Sequence, residues 1–231
     1  MNITVGAPRA RRRNKGLWWI AGALAGFAFI VLSLLSYTLL PALLAYAKYH
    51  PQEGDVIFQS LPFSPLVNAI EGATKSPYSH CGIVALEDGR WVVYEAHRPV
   101  GPTPLREYVF RGRHSAFAVY RLKPEQQAHV PAMLAKVHSY RGRPYDERYR
   151  LDDKAAAIYC SELIYLAYRD ATGGEELGQL VTLGDLQWQP YNDLIQRIEN
   201  GPPPLDRQII TPRDLARAEQ LEPVYQFGYG R

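Results

Sequence analysis

Three short stretches of this chain carry side chains able to do covalent chemistry. Cys160 stands in Ile158-Tyr159-Cys160-Ser161-Glu162-Leu163-Ile164, His80 in Ser76-Pro77-Tyr78-Ser79-His80-Cys81-Gly82-Ile83-Val84, and Glu95 in Val93-Tyr94-Glu95-Ala96. Apolar residues recur at helical spacing after Cys160, which predicts a helix over 158–171 with the thiol close to its start. Unpaired N–H groups and the helix dipole stabilise an anion there and lower a thiol pKa. A thiolate is the form that attacks a carbonyl carbon. Taken alone, Cys160 reads more readily as a small buried hydrophobe, the common fate of a free cysteine.

His80 and Glu95 change that reading. Glu87-Asp88-Gly89-Arg90 has the Asp-Gly centre of a tight hairpin, joining a strand over 81–86 to one over 91–96. Paired strands lie about 5 Å apart, so a carboxylate at Glu95 reaches the His80 imidazole. It would orient the ring and stabilise the imidazolium, as the third member of a triad does. A solvent-facing glutamate on an edge strand is the alternative. The apolar setting Trp91-Val92-Val93-Tyr94-Glu95-Ala96 favours a buried carboxylate, which needs a partner. Alternation along a strand sends His80 and Cys81 to opposite faces. Cys81 therefore reads as a structural core cysteine, and no Cys81–Cys160 disulfide is expected.

The elements that must position these groups form an α+β pattern, a small antiparallel sheet packed on helices. Strands are predicted over 55–59, 81–86, 91–96, 117–122 and 223–227. Helices are predicted over 65–73, 124–140 with Pro131 disturbing the first half, 158–171, 192–199 and 212–220. Residues 60–78, 97–115 and 172–192 hold the loops expected to build a substrate pocket. The 231 residues suffice for one membrane segment and one domain with a core. A hydrophobic content of 47% excludes a disordered chain. The net charge of +3 shows no case for nucleic-acid binding. Two cysteines are too few for a disulfide framework, and with no C-x-x-C or H-E-x-x-H neither a metal nor another cofactor is expected.

Residues 17–40 contain no charge. Helical, these ~24 residues rise roughly 36 Å, enough to cross a bilayer core with some tilt. Trp18, Trp19, Tyr46 and Tyr49 flank the run, where aromatic side chains favour the interface. Arg9, Arg11, Arg12, Arg13 and Lys15 precede it and Lys48 is the first cation after it, so the positive-inside rule leaves the N-terminus in the cytoplasm. The organisation expected is a basic cytoplasmic tail (1–16), a transmembrane helix (17–41), a linker (42–52) and an extracytoplasmic domain (53–231) on the cytoplasmic membrane. Ala45-Tyr46-Ala47 also has the small-x-small form of a cleavage site, so a signal peptide stands as the second reading. The length of the apolar run favours the anchor.

At the motifs quoted the chain resembles the permuted papain-fold cysteine hydrolases called YiiX-like or YebB-like, relatives of the NlpC-type cell-wall peptidases. The resemblance rests on Gly54-Asp55-Val56-Ile57-Phe58-Gln59, Ser79-His80-x-Gly82-Ile83, Tyr94-Glu95-Ala96, Gly142-Arg143-Pro144-Tyr145-Asp146, Tyr159-Cys160-Ser161-Glu162-Leu163 and Thr211-Pro212-x-x-Leu215. It covers about residues 53–225. It implies a circularly permuted papain-like domain, because the order His80, Glu95, Cys160 is what permutation of a Cys-first core produces. It also implies Cys160 as nucleophile, His80 as base and acid, and Glu95 as orienting residue. Cys81 departs from the pattern, where a plain apolar strand residue is expected.

The mechanism that follows is an acyl-enzyme hydrolysis, with the Cys160 N–H as oxyanion donor at a helix start. Tyr78, Tyr145, Asp146 and Tyr159 are the candidate cleft residues; for Tyr145 and Asp146 a packed tyrosine and a turn-capping aspartate are equally good readings. Three functions compete. The first is an amidase or peptidase on cell-wall peptide. The second is a lipid-directed thiol hydrolase or acyltransferase, since the lecithin–retinol acyltransferase group shares the permuted core. The third is a catalytically silent binding module, against which the complete His80, Glu95 and Cys160 set argues.

Overall fold

The computed structural model describes residues 15–151 and 156–229, without the side chains of residues 15–18, 21, 32, 34, 35, 37 and 38. Helix α1 (Lys15–Lys48) precedes β1 (Val56–Gln59), α2 (Pro65–Thr74), β2 (His80–Glu87), β3 (Arg90–Ala96), β4 (Val100–Pro104) and α3 (Leu105–Arg111). Then come β5 (Phe117–Leu122), α4 (Val130–Ser139), α5 (Cys160–Thr172), β6 (Val181–Thr182), α6 (Asn192–Glu199), β7 (Gln208–Ile209), α7 (Pro212–Ala216) and β8 (Leu221–Phe227). The chain forms two compact units, Met1–Leu43 and Leu44–Arg231.

In the first unit the expected basic tail lies almost wholly outside the described residues. The expected span 17–41 falls within α1. Among the described residues no helix is long and apolar enough to cross a membrane.

The expected linker 42–52 is not a linker. It is helical as far as Lys48, and the second unit already begins at Leu44. The Tyr225 hydroxyl donates to the Ala45 carbonyl at 2.8 Å, and the Tyr49 hydroxyl donates to Asp55 Oδ2 at 2.7 Å. Asp55 is fully buried and also accepts both arms of the Arg121 fork, at 2.6 and 2.9 Å. A buried carboxylate needs this many donors, and Tyr49 is one of them.

The second unit is built on a six-stranded sheet, order β4-β3-β2-β1-β5-β8, with every neighbouring pair antiparallel. Strand alternation gives it two apolar faces. Val56, Phe58, Cys81, Ile83, Tyr94 and Ala118 face the helix pair α4 and α5. Ile57, Val84, Val93, Phe117 and Val119 face α3, through Leu105, Tyr108 and Val109, together with Tyr49. The β2–β3 hairpin pairs Glu87 with Arg90 around Asp88 and Gly89, both at positive φ (48° and 73°), as an Asp-Gly turn requires.

Three features of the domain differ from the sequence reading. The stretch 124–140 is a 3-10 turn (Pro124–His129) followed by α4, with Pro131 in the first turn of the helix. The helix expected over 212–220 stops at Ala216. Residues 97–115, expected as loop, instead contain β4 and α3. Those two elements supply groups the sequence reading did not foresee.

Candidate active site

Cys160 is the first residue of α5 and is buried. Tyr159, before it, is extended (φ −98°, ψ 169°), and its N–H donates to Glu162 Oε2 at 3.2 Å, so a carboxylate three residues on closes the helix start. The same turn is clamped from outside. The Tyr159 hydroxyl accepts the Ile210 N–H at 3.1 Å, and Ser161 Oγ donates to the Ile210 carbonyl at 2.8 Å. Two residues flanking the thiol therefore grip one backbone unit of a distant segment.

His80 opens β2 at the end of the sheet. Its Nε2 lies 2.5 Å from Glu95 Oε2 on β3. The other ring nitrogen is left for Cys160, which is within hydrogen-bonding reach of the ring. Gly82, between His80 and the rest of β2, makes the close approach possible. A Cβ there would come within 2.4 Å of Val93 Cγ1 and 2.8 Å of the Tyr94 carbonyl oxygen.

Glu95 is held by more than His80. Arg111 of α3 forks onto it, Nη1 to Oε1 at 2.9 Å and Nη2 to Oε2 at 2.5 Å. Thr103 of β4 donates to Oε1 at 2.6 Å. Burial alone would raise this carboxyl pKa; His80 and Arg111 outweigh it and hold the group well below the usual carboxylate range. Burial likewise opposes a charge on His80, but Cys160 and then Glu95 reverse the effect and raise its pKa to about 9. The four groups follow one another in the order Arg111, Glu95, His80, Cys160.

Cys81 also belongs to this line. Alternation does place it with the core residues facing α5, as expected. That is the face against which Cys160 packs, in the same core cluster. Both are free. Hydrogen bonding from Cys81 is the largest cause holding Cys160 well below the usual thiol range; burial opposes it, and His80 adds to it. Burial, then the neighbouring Cys160, pushes the Cys81 thiol far up, so it remains protonated and able to donate. Cys81 is the buried core cysteine expected, and it is not in a disulfide.

A cleft of about 870 Å³, counting its open mouth, reaches Cys160. Leu66 and Ile70 of α2 form one wall, Leu194, Ile195 and Ile198 of α6 another, and Ile209 closes it from below. None of the four expected cleft residues lines it. Tyr78 is buried against Phe58 and Tyr229, with ring centroids 5.3 and 5.1 Å away. Asp146 accepts the Arg148 and Arg150 N–H groups at 3.0 and 2.7 Å, the turn-capping role. Tyr145 donates to the Tyr149 hydroxyl at 3.1 Å, and it is Tyr149 that lines the cleft. Tyr159 is a core residue whose hydroxyl fastens Ile210.

Sequence reading missed Arg111, Thr103 and the α6 wall; the α2 wall falls within the stretch 60–78 that it expected to shape the pocket. One signal for the first existed: a glutamate buried in an apolar strand demands a cation. Arg106, Arg111 and Arg113 were equal candidates until the fold chose Arg111.

This arrangement, an antiparallel sheet carrying His80 and Glu95 with Cys160 at a helix start brought against it, is a papain-like core with its parts in permuted chain order. The model of the permuted papain-like amidase enzymes, the YaeF/YiiX or C92 family, matches residues 50–225, and the chain belongs to that family. It is 33% identical over 198 residues to the uncharacterized protein YiiX of Escherichia coli strain K12, covering 83% of this chain and 94% of the relative. The crystal structure of yiiX from Escherichia coli O157:H7 superposes with a TM-score of 0.67 at 29% identity, over 78% of this chain and 99% of that one. That relative is described as a metalloprotein. Among the described residues here, no three His, Cys, Asp or Glu side chains are gathered as a metal ion would need.

Proposed function

We propose that this chain is a single-pass, membrane-anchored thiol hydrolase that cleaves an amide bond outside the cytoplasmic membrane. The carrying observation is the Arg111–Glu95–His80–Cys160 line, which ends at an open cleft. The Cys160 thiolate attacks the amide carbonyl, and the Cys160 N–H at the first turn of α5 receives the developing oxyanion. The His80 imidazolium passes its proton to the leaving amine as the C–N bond breaks, leaving a thioester on Cys160. Neutral His80 then takes a proton from water, whose oxygen attacks the thioester. The acid departs, and thiolate and imidazolium are restored. Glu95 and Arg111 hold the ring in place throughout.

The anchor is supported by the charge-free run over 17–40 with arginines before it. It is supported too by the exposed apolar side chains of Trp19, Ile20, Leu24, Phe27, Phe29 and Ile30 on α1. A silent binding module is disfavoured, because a buried ion pair with an extra arginine costs desolvation that binding alone does not require. The NlpC-type resemblance supports cell-wall peptide as substrate. The lining of the cleft supports the lipid-directed alternative better.

The test is labelling of the membrane-bound full chain by a small acyl electrophile, followed by peptide mapping. Wild type is expected to label at Cys160 and Cys160→Ala not at all. Equal labelling of the two proteins, or label found on Cys81, defeats the thiol-enzyme reading. A C-terminal reporter active only in the cytoplasm tests the orientation, and its activity would overturn the topology.

A further inference from the structure

The end of the sheet that carries His80 has two flanks. Strands β2 and β3 are antiparallel, so β2 begins where β3 ends. Ile83 pairs with Tyr94, and three residues further along His80 comes opposite His97. Their rings lie edge to face, with centroids 5.9 Å apart. The strand order β4-β3-β2-β1 puts residues 97–99, which join β3 to β4, on one side of His80 and the segment leading to α2 on the other. The cleft at Cys160 occupies the α2 side, where Ser79, next to His80, lines it.

A second hollow, of about 710 Å³ counting its open mouth, occupies the other side. Glu95 lies at its base, and His97, Arg98, Gly101, Arg141 and Gly142 line it. The two stretches of chain around it are fastened together. The Val100 N–H donates to the Arg143 carbonyl and the Gly142 N–H to the Val100 carbonyl, both at 2.9 Å. A Cβ at Gly101 or Gly142 would meet nothing within 4 Å, so the backbone there is open to a ligand.

The charge around this hollow favours an anion. Glu95 is already answered by Arg111, Thr103 and His80. Arg98 Nη2 holds Glu147 at 2.6 Å, but both side chains are well exposed, and such a pair yields readily to a competing anion. Arg141 reaches the Tyr94 hydroxyl and is itself exposed. His97 titrates below its ordinary value. Burial is the largest cause; Glu95 opposes it, and Arg111, His80 and Arg98 add to it. The ring is therefore neutral at pH 7 and able to donate an N–H, at a place where Arg111, His80 and Arg98 outnumber Glu95.

We infer that this hollow receives an anionic group, a carboxylate or a phosphate, carried by the amine half of the substrate. This rests on the thiol-amidase reading above and adds recognition of the group that leaves. His80 must come within about 3 Å of the departing nitrogen to protonate it. With His97 beside His80, an anion roughly two to four covalent bonds beyond that nitrogen reaches the His97 N–H and the Arg98 guanidinium. The carbonyl carbon stays at Cys160, and the released amine carries the anion out through the open mouth. A cationic amine meets Arg98 and Arg141 instead.

Binding is tested on the full chain carrying Cys160→Ala, so that nothing is turned over. Diethyl pyrocarbonate transfers its ethoxycarbonyl group to a neutral imidazole nitrogen, with ethyl carbonate leaving. Peptide mapping follows His97, with the exposed His114 as internal reference. N-acetylglycine and N-acetyl-2-aminoethyl phosphate should each slow modification of His97 severalfold at concentrations where N-acetylglycinamide does not. The stronger of the two identifies the anion. With Cys160 intact, amides of one fixed acyl group should release glycine or 2-aminoethyl phosphate with kcat/KM roughly tenfold above that for glycinamide. Arg98→Gln and Gly101→Val should each bring that ratio towards one; Gly101→Val fills the hollow without a clash and keeps every charge.

Equal protection by the anionic and neutral compounds overturns the subsite. So does an anion preference that survives in both Arg98→Gln and Gly101→Val, since the charge would then act from elsewhere. Anion-specific protection of His97 with no amine released from any amide supports the anion site while removing the amidase reading. Amine release indifferent to the charge on the amine supports the amidase reading while removing the subsite.

Discussion

Replacing Glu95 with glutamine tests the central electrostatic argument at nearly constant volume. His80 titrates at about 9 instead of 6.5, a preference for the imidazolium worth roughly 3 kcal/mol. Burial opposes this charge, Cys160 favours it most, and Glu95 favours it next. Removing the carboxylate takes away the second contribution and leaves the Arg111 guanidinium facing the ring. The alkaline limb of kcat/KM should therefore move below about 9. The Cys160 thiolate loses part of its counter-charge, so its titration midpoint should rise. Ultraviolet thiolate absorbance, with Cys160→Ala subtracted, reads that midpoint without any substrate. At the optimum, kcat/KM should drop roughly tenfold to a hundredfold through lost orientation. The sign for stability follows from the same shift. His80 titrates higher folded than unfolded, so its charge stabilises the fold fully below pH 6.5, and that contribution is lost as pH rises through about 9. The variant should show a weaker loss over this window. Wild-type and variant titrations that superpose would refute the reasoning.

Three further outcomes follow from the site. Arg111→Met strands a fully buried carboxylate and should cost about 3 kcal/mol in urea unfolding; no measurable change would mean that Thr103 and His80 suffice. Cys81→Ala removes the donor that contributes most to the low Cys160 pKa, so alkylation of Cys160 by iodoacetamide at mildly acidic pH should slow severalfold, with Cys81→Ser restoring part of the rate. Gly82→Ala forces a methyl against Val93 and the Tyr94 carbonyl and should destabilise the domain by about 1–3 kcal/mol, seen as a lower thermal midpoint and weakened contact between His80 and Glu95.

Much of the sheet was readable because its signals are local. The Asp-Gly turn specifies the β2–β3 hairpin, since two successive residues at positive φ suit few other pairs. The apolar spacing after Cys160 specifies α5, and Ser64-Pro65 specifies the start of α2, where Ser64 Oγ accepts the Val67 N–H at 3.2 Å. The β4–α3 segment was missed for equally local reasons. Val100-Gly101-Pro102-Thr103-Pro104 carries two prolines and a glycine, which argue against a strand; an edge position, with β3 as its one neighbour, tolerates them.

By itself, then, the sequence determined that a thiol stands at a helix start, that a histidine and a glutamate share one hairpin, and that a charge-free stretch with arginines before it heads the chain. Those are matters of periodicity, turn chemistry and charge order, each written within a single short stretch of chain. Tertiary structure alone decided which arginine neutralises Glu95, that the two cysteines share one core cluster, and that an apolar slot ends at Cys160. Each of these joins segments far apart in the chain, and which of several equivalent side chains arrives is set by how the layers pack, a quantity that no local pattern encodes.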